Sequence, residues 1–345
     1  MIKSLSIKNF RNFQNKTFSF EKDINFILGD NGSGKSNILE AISILCGNEI
    51  FGLDFYNLVN KEEEVFFIES EDNEGNKVSV SYDKINNIKK IAINGKNTSI
   101  SKQKDFVAKS IVFHPMVMNM MYLSPSLRRD FLDSILSHSY GEYAKLLKSY
   151  KDILKNRNKV LKNIKEGKRE KKEIIFWNQK FIEIASQIYF YRFELKKYFS
   201  KHINSLLIYF DGKISNISFH YITKVDQEKK EESIEGYLIK NLERDIILGN
   251  THIGPHVDDF DIMLDTVSIS HFASRGEAKS IILGLKLLET QFIEEKTQKK
   301  PILLIDDLLS EIDEKHKNII LSQLNGYQII ISSLGKGEIG NIIKI

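Results

Sequence analysis

Eight consecutive residues near the N-terminus have the composition of a loop that binds the phosphates of a nucleotide. They match the pattern GxxxxGKS and are Gly29, Asp30, Asn31, Gly32, Ser33, Gly34, Lys35 and Ser36. The glycines allow backbone N–H groups to surround a β-phosphate, Lys35 neutralises the β- and γ-phosphates, and the Ser36 hydroxyl can ligate magnesium. A glycine-rich turn without a ligand would not need this lysine and hydroxyl. The pattern therefore predicts a loop that binds ATP and Mg²⁺.

A P-loop ATPase also needs a carboxylate to hold the magnesium shell, and the sequence offers two candidates. Asp306 and Asp307 directly follow the apolar run Ile-Leu-Leu-Ile at 302–305, which indicates the end of a buried parallel strand. We predict that Ser36 and Asp306 are the metal ligands and that Lys35 and Asp306 are catalytic. Asp307 stands where ABC-type heads usually carry the glutamate that polarises water, and its shorter side chain predicts slow hydrolysis.

A third segment is similar to the signature with which an ABC-type ATPase contacts the γ-phosphate held by the opposite protomer. It is His-Phe-Ala-Ser-Arg-Gly-Glu at 271–277, and an amphipathic helical pattern follows it. The same residues also fit an ordinary N-cap turn. The order of motifs favours the signature, because it lies between the P-loop and the paired acids, and a D-loop candidate follows at 310–313. We therefore predict that Ser274 and Gly276 bind ATP.

These candidate residues must be positioned by elements whose pattern changes twice along the chain. The first part shows short strands and one helix, residues 126–210 show long helical periodicity, and strand and helix patterns return after Gly249. We therefore predict an α/β fold, an ABC-type P-loop ATPase head resembling that of SMC proteins. The head would comprise residues 1–125 and 250–345, with a mainly helical lobe, 126–249, inserted between them.

Composition limits the class of protein without selecting a function. The 345 residues are 41% apolar and carry a net charge of +4, which suits two globular domains and does not by itself indicate a polyanionic partner. Cys46 is the single cysteine, and no apolar run of about 18 residues occurs, so we expect a cytoplasmic protein outside the membrane. From Lys145 to Lys172 basic residues outnumber acids; this run is either a solvated helix face or a sequence-independent phosphate contact.

Motifs along nearly the whole chain resemble those of the RecF family of bacterial recombination mediators. They are Ile-Lys-Asn-Phe-Arg-Asn-Phe at 7–13, Pro115 with Ser-Pro-Ser-Leu-Arg-Arg-Asp-Phe-Leu-Asp at 124–133, Gly-Pro-His-Val-Asp-Asp-Phe at 254–260, and residues 304–321 with Ser310, Asp313 and Lys317 in register. The resemblance implies an ATP-dependent homodimer that clamps DNA, with weak, DNA-stimulated ATP hydrolysis resetting it. It also implies recombinational repair and replication restart at single-strand gaps or single-strand/double-strand junctions, independent of sequence, with RecO and RecR as partners.

Three positions depart from the family pattern, and two histidines lie near them. Met116 stands in place of an acid, Leu123 in place of a glycine and Val257 in place of an arginine, so the contacts those side chains make in the family are in question here. His114 and His256 each precede or follow a proline, and we interpret both as structural histidines without a chemical role.

Two pairs of charged residues in the motifs have structural interpretations beside functional ones. Arg128 and Arg129 fit a solvated helix face, ion pairs with Asp130 and Asp133, or a functional contact. The two acids at 258–259 follow Gly-Pro-His, which predicts a tight turn rather than a metal site.

Three other classes of P-loop protein share part of this pattern. An ABC-type subunit of a transporter or a protein-remodelling ATPase has the same nucleotide motifs, and membrane fractionation would separate the transporter. An SMC-like tether needs long heptad arms, for which residues 143–201 are too short and irregular. A phosphotransferase would consume ATP in response to a small-molecule acceptor instead of DNA.

Overall fold

The computed structural model of the chain divides into two compact units. The first comprises Met1–Met118 with Ile282–Ile345, and the second comprises Asn119–Ile281. The segment 250–345, which the sequence assigned to the head, is thus divided between the two units at residue 282. The structure describes residues 1–48, 54–114, 120, 122, 124–210, 214–269, 275–307, 314–333 and 340–345.

Both units contain strands and helices. The strands are β1 (Ile2–Phe10), β2 (Phe13–Ser19), β3 (Ile24–Leu28), β4 (Val65–Asp72), β5 (Lys77–Asp83), β6 (Ile88–Ile93), β7 (Lys96–Asn97), β8 (Ser110–Phe113), β9 (Ile217–Ile222), β10 (Asp259–Leu264), β11 (Val267–Ser268), β12 (Ile302–Asp306), β13 (Ile329–Ser333) and β14 (Asn341–Lys344). The helices are α1 (Lys35–Leu45), α2 (Ile100–Phe106), α3 (Pro125–Ser139), α4 (Tyr143–Lys165), α5 (Ile174–His202), α6 (Lys230–Lys240), α7 (Leu242–Leu248), α8 (Arg275–Thr297) and α9 (Glu314–Gln323). Short 3₁₀ helices span Phe55–Leu58, Lys171–Glu173 and Ile203–Phe210.

The first unit contains a parallel sheet whose strand order brings distant segments to one edge. Its order is β14-β3-β13-β12-β8, and neighbouring strands all run in the same direction. The interiors of β12 and β13 are buried on both faces, which explains their nearly continuous apolar sequences. Because parallel strands end at a common edge, the segments that follow β3, β8 and β12 meet there.

Helix α1 lies between this parallel sheet and an antiparallel sheet of order β2-β1-β4-β5-β6-β7. It contacts β12 and β13 on one side and β4 and β5 on the other. Ile38, Ala41 and Ile42 are fully buried and belong to one hydrophobic cluster with residues of both sheets. A helix that is apolar around most of its circumference is stable only when it is enclosed in this way. The beginning of α1, where the predicted phosphate loop ends, is thus fixed by two sheets.

The second unit combines helices α3 to α7 with a three-stranded antiparallel sheet of order β11-β10-β9. Residues 259–264 pair with 217–222 across this sheet, which is why they belong to the second unit. Two buried arginines lie among the helices. Nη1 of Arg157 donates to Asp245 at 3.1 Å, and Nη2 of Arg192 donates to Asp133, so each buried charge has a carboxylate partner.

Elements predicted around the ATP motifs are present in the structure. The strand before the P-loop and the helix after it coincide with β3 and α1, and the strand before the paired acids is β12. Within the described residues, no helix combines the length and apolar character needed to cross a bilayer.

Candidate functional site

Two glycines with positive φ give the loop between β3 and α1 its curvature. Gly32 has a φ of 81°, and Gly34, which is the N-cap residue of α1, has a φ of 110°. A Cβ at position 34 would lie 2.6 to 2.7 Å from side-chain atoms of Asn12 and Phe13. Only glycine therefore fits at position 34, on grounds of both conformation and space.

The Lys35 side chain folds back over this loop. Its Nζ donates to the carbonyl oxygens of Gly29 and Asp30 at 2.7 and 2.8 Å, and the residue is only 8% exposed. The ammonium group and the positive end of the α1 dipole together favour an anion. The buried Oγ of Ser33 has no hydrogen-bond partner within the described structure, and Asn31 is exposed.

The paired acids lie at the carboxyl end of β12, next to the loop. Ser36 Oγ donates to Asp306 Oδ1 at 2.8 Å across 270 residues of sequence. Ser332, on the adjacent strand β13, donates to the same oxygen at 2.7 Å and accepts from the backbone N–H of Asp307 at 2.9 Å. Asp307 has a left-handed φ of 47°. The structure thus brings together Ser36 and Asp306, the two predicted metal ligands, while the catalytic role of Asp307 stays a prediction.

The turn between β1 and β2 braces the P-loop, a contact that no local sequence pattern predicts. Asn12 donates to the carbonyl oxygen of Ser33 at 2.7 Å and accepts from the Asn37 amide at 2.8 Å. Arg11 makes a bidentate pair with Glu40 of α1, with both N–O distances at 2.9 Å. Both residues lie in the 7–13 motif that resembles the RecF family. The motif therefore marked these positions, but only the structure shows that they contact the P-loop and α1.

His114 also lies closer to the site than its interpretation as a structural histidine implied. It directly follows β8, and its Nε2 is 4.0 Å from Oδ2 of Asp306. The side chain is 43% exposed. The position follows from the sheet order, since β8 and β12 are neighbouring parallel strands that end at the same edge.

Part of the predicted site lies outside the described residues. This applies to Ser274, to the D-loop candidate at 310–313, and to Pro115, Met116 and Leu123. Gly276 is in the first turn of α8. The participation of Ser274 and Gly276 in ATP binding therefore stays a prediction.

The two RecF-like motifs in the second unit contact each other. Arg128 makes a bidentate pair with Asp259 at 2.6 and 2.7 Å, and Arg129 donates to the backbone carbonyl of Asp258 at 3.1 Å. Of the alternatives that the sequence left open, ion pairs with Asp130 and Asp133 are not formed in the described structure, because β10 brings Asp259 to the face of α3 that carries Arg128. These contacts give both motifs a structural role.

His256 has the structural role that its sequence context predicted. Its Nε2 lies 3.0 Å from the carbonyl oxygen of Thr251, which can only accept, so Nε2 carries the proton. Nδ1 accordingly accepts from the hydroxyl of Tyr150. Burial lowers the pKa of His256 to about 4, so the ring is neutral at physiological pH. The predicted turn is present at Gly254–Val257, but it belongs to the second unit and not to the predicted head.

The donor atoms of the site suit magnesium bound together with a nucleotide. In the described part of the chain no three His, Cys, Asp or Glu side chains form a metal-binding group. The site offers instead one hydroxyl and one carboxylate, Ser36 and Asp306. Mg²⁺ at such sites takes only one or two protein oxygens and completes its shell with waters and phosphate oxygens.

The sequence matches known proteins over almost its full length. A family model described as RecF/RecN/SMC N terminal domain matches residues 1–342. The DNA replication and repair protein RecF of Thermoanaerobacter sp. (strain X514) is 32% identical over 348 residues, covering 98% of this chain and 95% of that protein. The protein of the same name from Clostridium acetobutylicum is 31% identical over 368 residues, covering 99% and 95%.

Solved structures of RecF proteins are similar in fold to this chain. A structure of the recombination mediator protein RecF with ATP, in the RecFOR pathway, has a TM-score of 0.88 and 28% identity, covering 99% of this chain and 95% of that one. Its ATPrS form has a TM-score of 0.89, with 29% identity and coverage of 100% and 96%. The Smc head domain from Pyrococcus furiosus, at 18% identity and a TM-score of 0.51, is similar in fold alone over 97% of this chain and 89% of that one.

Proposed function

Since this chain belongs to the RecF family, we propose that it acts in DNA replication and repair as an ATP-gated DNA-binding protein. The observation that supports ATP binding is the hydrogen bond between Ser36 and Asp306, and the role in DNA replication and repair rests on the family membership. This hydrogen bond joins the P-loop to the end of β12, where a nucleotide-bound metal requires a hydroxyl and a carboxylate side by side.

Several residues around the loop contribute to ATP binding in this proposal. Backbone N–H groups of residues 29–36 surround the phosphates, and Lys35 neutralises charge on the β- and γ-phosphates. Ser36 and Asp306 would hold Mg²⁺, which would neutralise charge at the phosphates. Asp307 orients the attacking water through a carboxylate one methylene shorter than glutamate, and ATP hydrolysis is therefore slow and serves as a switch.

ATP closes a homodimer in this proposal. Ser274 and Gly276 of each protomer contact the γ-phosphate of the ATP held by the other, so ATP binds the closed dimer more tightly than the open monomer. Because coupled equilibria are reciprocal, ATP then raises the affinity for DNA, and hydrolysis lowers it again. RecO and RecR are the proposed partners, since the solved RecF structures belong to the RecFOR pathway.

The experiment is equilibrium binding to a labelled gapped duplex at two salt concentrations, with and without ATP. Lys35→Met is compared with Lys3→Met, a substitution at an exposed lysine of β1. We expect ATP to tighten DNA binding in the wild type and the Lys3 variant, and not in the Lys35 variant. A complex that forms equally well in all three with and without ATP would disprove gating.

A second measurement separates dimer closure from nucleotide binding. Sedimentation with ATP should show a dimer for the wild type and a monomer for Ser274→Arg, although the variant still binds ATP. An unchanged dimer in the variant would remove Ser274 from the proposed interface. A chain that binds ATP but no DNA in any state would instead be an ABC-type ATPase with another task.

A further inference from the structure

Helix α4 presents a continuous row of lysines to solvent. They occur at steps of three or four residues, the spacing that places side chains on one face of a helix, and every one of them is exposed: Lys145, Lys148, Lys151, Lys155, Lys159, Lys162 and Lys165. We call this row the lysine stripe. From its first to its last member it is about 30 Å long, at about 1.5 Å of rise per residue.

The structure separates this stripe from the other cations of the 145–172 run. In the segment that follows α4, Lys168 pairs with Glu166, Lys171 with Glu243 and Lys172 with Glu170. Arg157 is withdrawn from the surface by Asp245 and is fully buried. By contrast, no stripe lysine makes a salt bridge to any residue that the structure describes. The unneutralised positive charge is therefore concentrated on one face of α4.

An ordinary solvated helix face has a different charge pattern. Such faces alternate acids and bases, since opposite charges three or four residues apart stabilise a helix and like charges destabilise it. Asp152, four residues after Lys148 and three before Lys155, is the one acid between Tyr143 and Lys165, and each pair of consecutive stripe lysines is a like-charged pair. This repulsion is relieved when a polyanion covers the row.

We propose that the lysine stripe is the surface of this protein that binds the phosphate backbone of DNA, an inference that rests on the proposed function. The length of the stripe corresponds to about nine base pairs at about 3.4 Å per base pair. Lysine neutralises phosphates as a point charge and does not read base edges, so binding is independent of sequence.

An anionic membrane does not fit the same helix. A helix that binds in the membrane interface inserts its apolar face. On α4 that face is already buried within the protein through Tyr143, Tyr150, Val160 and Leu161, against α5 and α7. Only the charged side of α4 is exposed, and this side is sufficient to contact the phosphates of DNA.

The test measures how DNA affinity depends on salt in the full chain with ATP, using a gapped duplex of arbitrary sequence. A stripe variant carries Lys148→Gln, Lys155→Gln and Lys159→Gln. A matched control carries Lys168→Gln, Lys171→Gln and Lys172→Gln, which removes the same charge from the paired cations. A third variant replaces the three stripe lysines by arginine, and circular dichroism verifies the helix content of each.

The slope of log K against log salt should become shallower by about 2.7 in the stripe variant, because three phosphates are no longer neutralised and each accounts for about 0.9 of the slope. At about 0.1 M salt this corresponds to a roughly 500-fold weaker affinity if the value extrapolated to 1 M is unchanged. The control and the arginine variant should keep the wild-type slope.

Each alternative outcome identifies what has failed. If the stripe variant and the control shift equally, the inference is overturned and DNA binding by the protein stands. If the wild type binds no DNA with or without ATP, the proposed function and the inference fail together. If the wild type binds vesicles of phosphatidylserine through the stripe and no DNA, the surface belongs to a membrane instead.

Discussion

The brace that Asn12 provides to the P-loop leads to a quantitative prediction for Asn12→Ala. The side chain joins the turn between β1 and β2 to the loop through two hydrogen bonds, to the Ser33 carbonyl oxygen and from the Asn37 amide. Alanine removes both bonds and leaves open space above Gly34, where the asparagine now packs. The loop would then sample conformations that cannot surround a phosphate.

The size of the effect follows from the two bonds. Both are exposed, so each contributes near the lower end of the usual range, and together about 1 to 2 kcal/mol. If this energy holds the competent loop conformation, its loss raises the apparent Kd for ATP by roughly 5- to 30-fold. Helix α1 and the two sheets around it keep their packing, so the unfolding temperature should change little.

The assay is an equilibrium titration with a fluorescent ATP analogue, run beside thermal unfolding. Asn15→Ala is the matched control, because Asn15 is an exposed asparagine of β2 three residues beyond Asn12. The control should bind nucleotide like the wild type. An Asn12→Ala variant that binds ATP within twofold of the wild type, or equal weakening of ATP binding in both variants, would refute the bracing role of Asn12.

Three further predictions rest on particular contacts. Gly34→Ala should weaken ATP binding far more than Gly32→Ala, although both glycines have positive φ, because a Cβ at position 32 meets open space; equal weakening in the titration would contradict the steric explanation. A double-mutant cycle of Arg128→Ala and Asp259→Ala, followed by denaturant unfolding, should give a coupling of about 1 to 3 kcal/mol, whereas additive effects would show that the pair is not energetically linked. Burial lowers the pKa of His256 to about 4, so as the pH falls this histidine is protonated in the unfolded chain before it is protonated in the folded chain. The free energy of unfolding should therefore be highest above about pH 6.5 and fall by about 3 kcal/mol toward pH 4. His256→Gln should lack this part of the pH dependence.

The parts of the site that are built from neighbouring residues could be predicted from the sequence. The P-loop, the apolar strand before it and the helix after it are contiguous from residue 24 to residue 45, and their glycines, lysine and periodicity carry a local conformational meaning. The same is true of β12, whose apolar run ends at Asp306. Such elements can be predicted because the chemistry that defines them lies within one short segment.

The segments that meet from distant parts of the sequence could not be predicted in this way. The strand order β3-β13-β12-β8 places Ser332 and His114 beside Asp306. The sequence around Ser332 or His114 has no local pattern that predicts this proximity. The partner of Arg128 lies 131 residues away, so the nearer acids in the sequence were a misleading guide. Within the basic run, Arg157 is buried in the structure, whereas the lysine stripe is exposed. Which side chains pair depends on the strand order of the sheets and on which faces of the helices are buried. Both are properties of the packed chain and cannot be predicted from one segment.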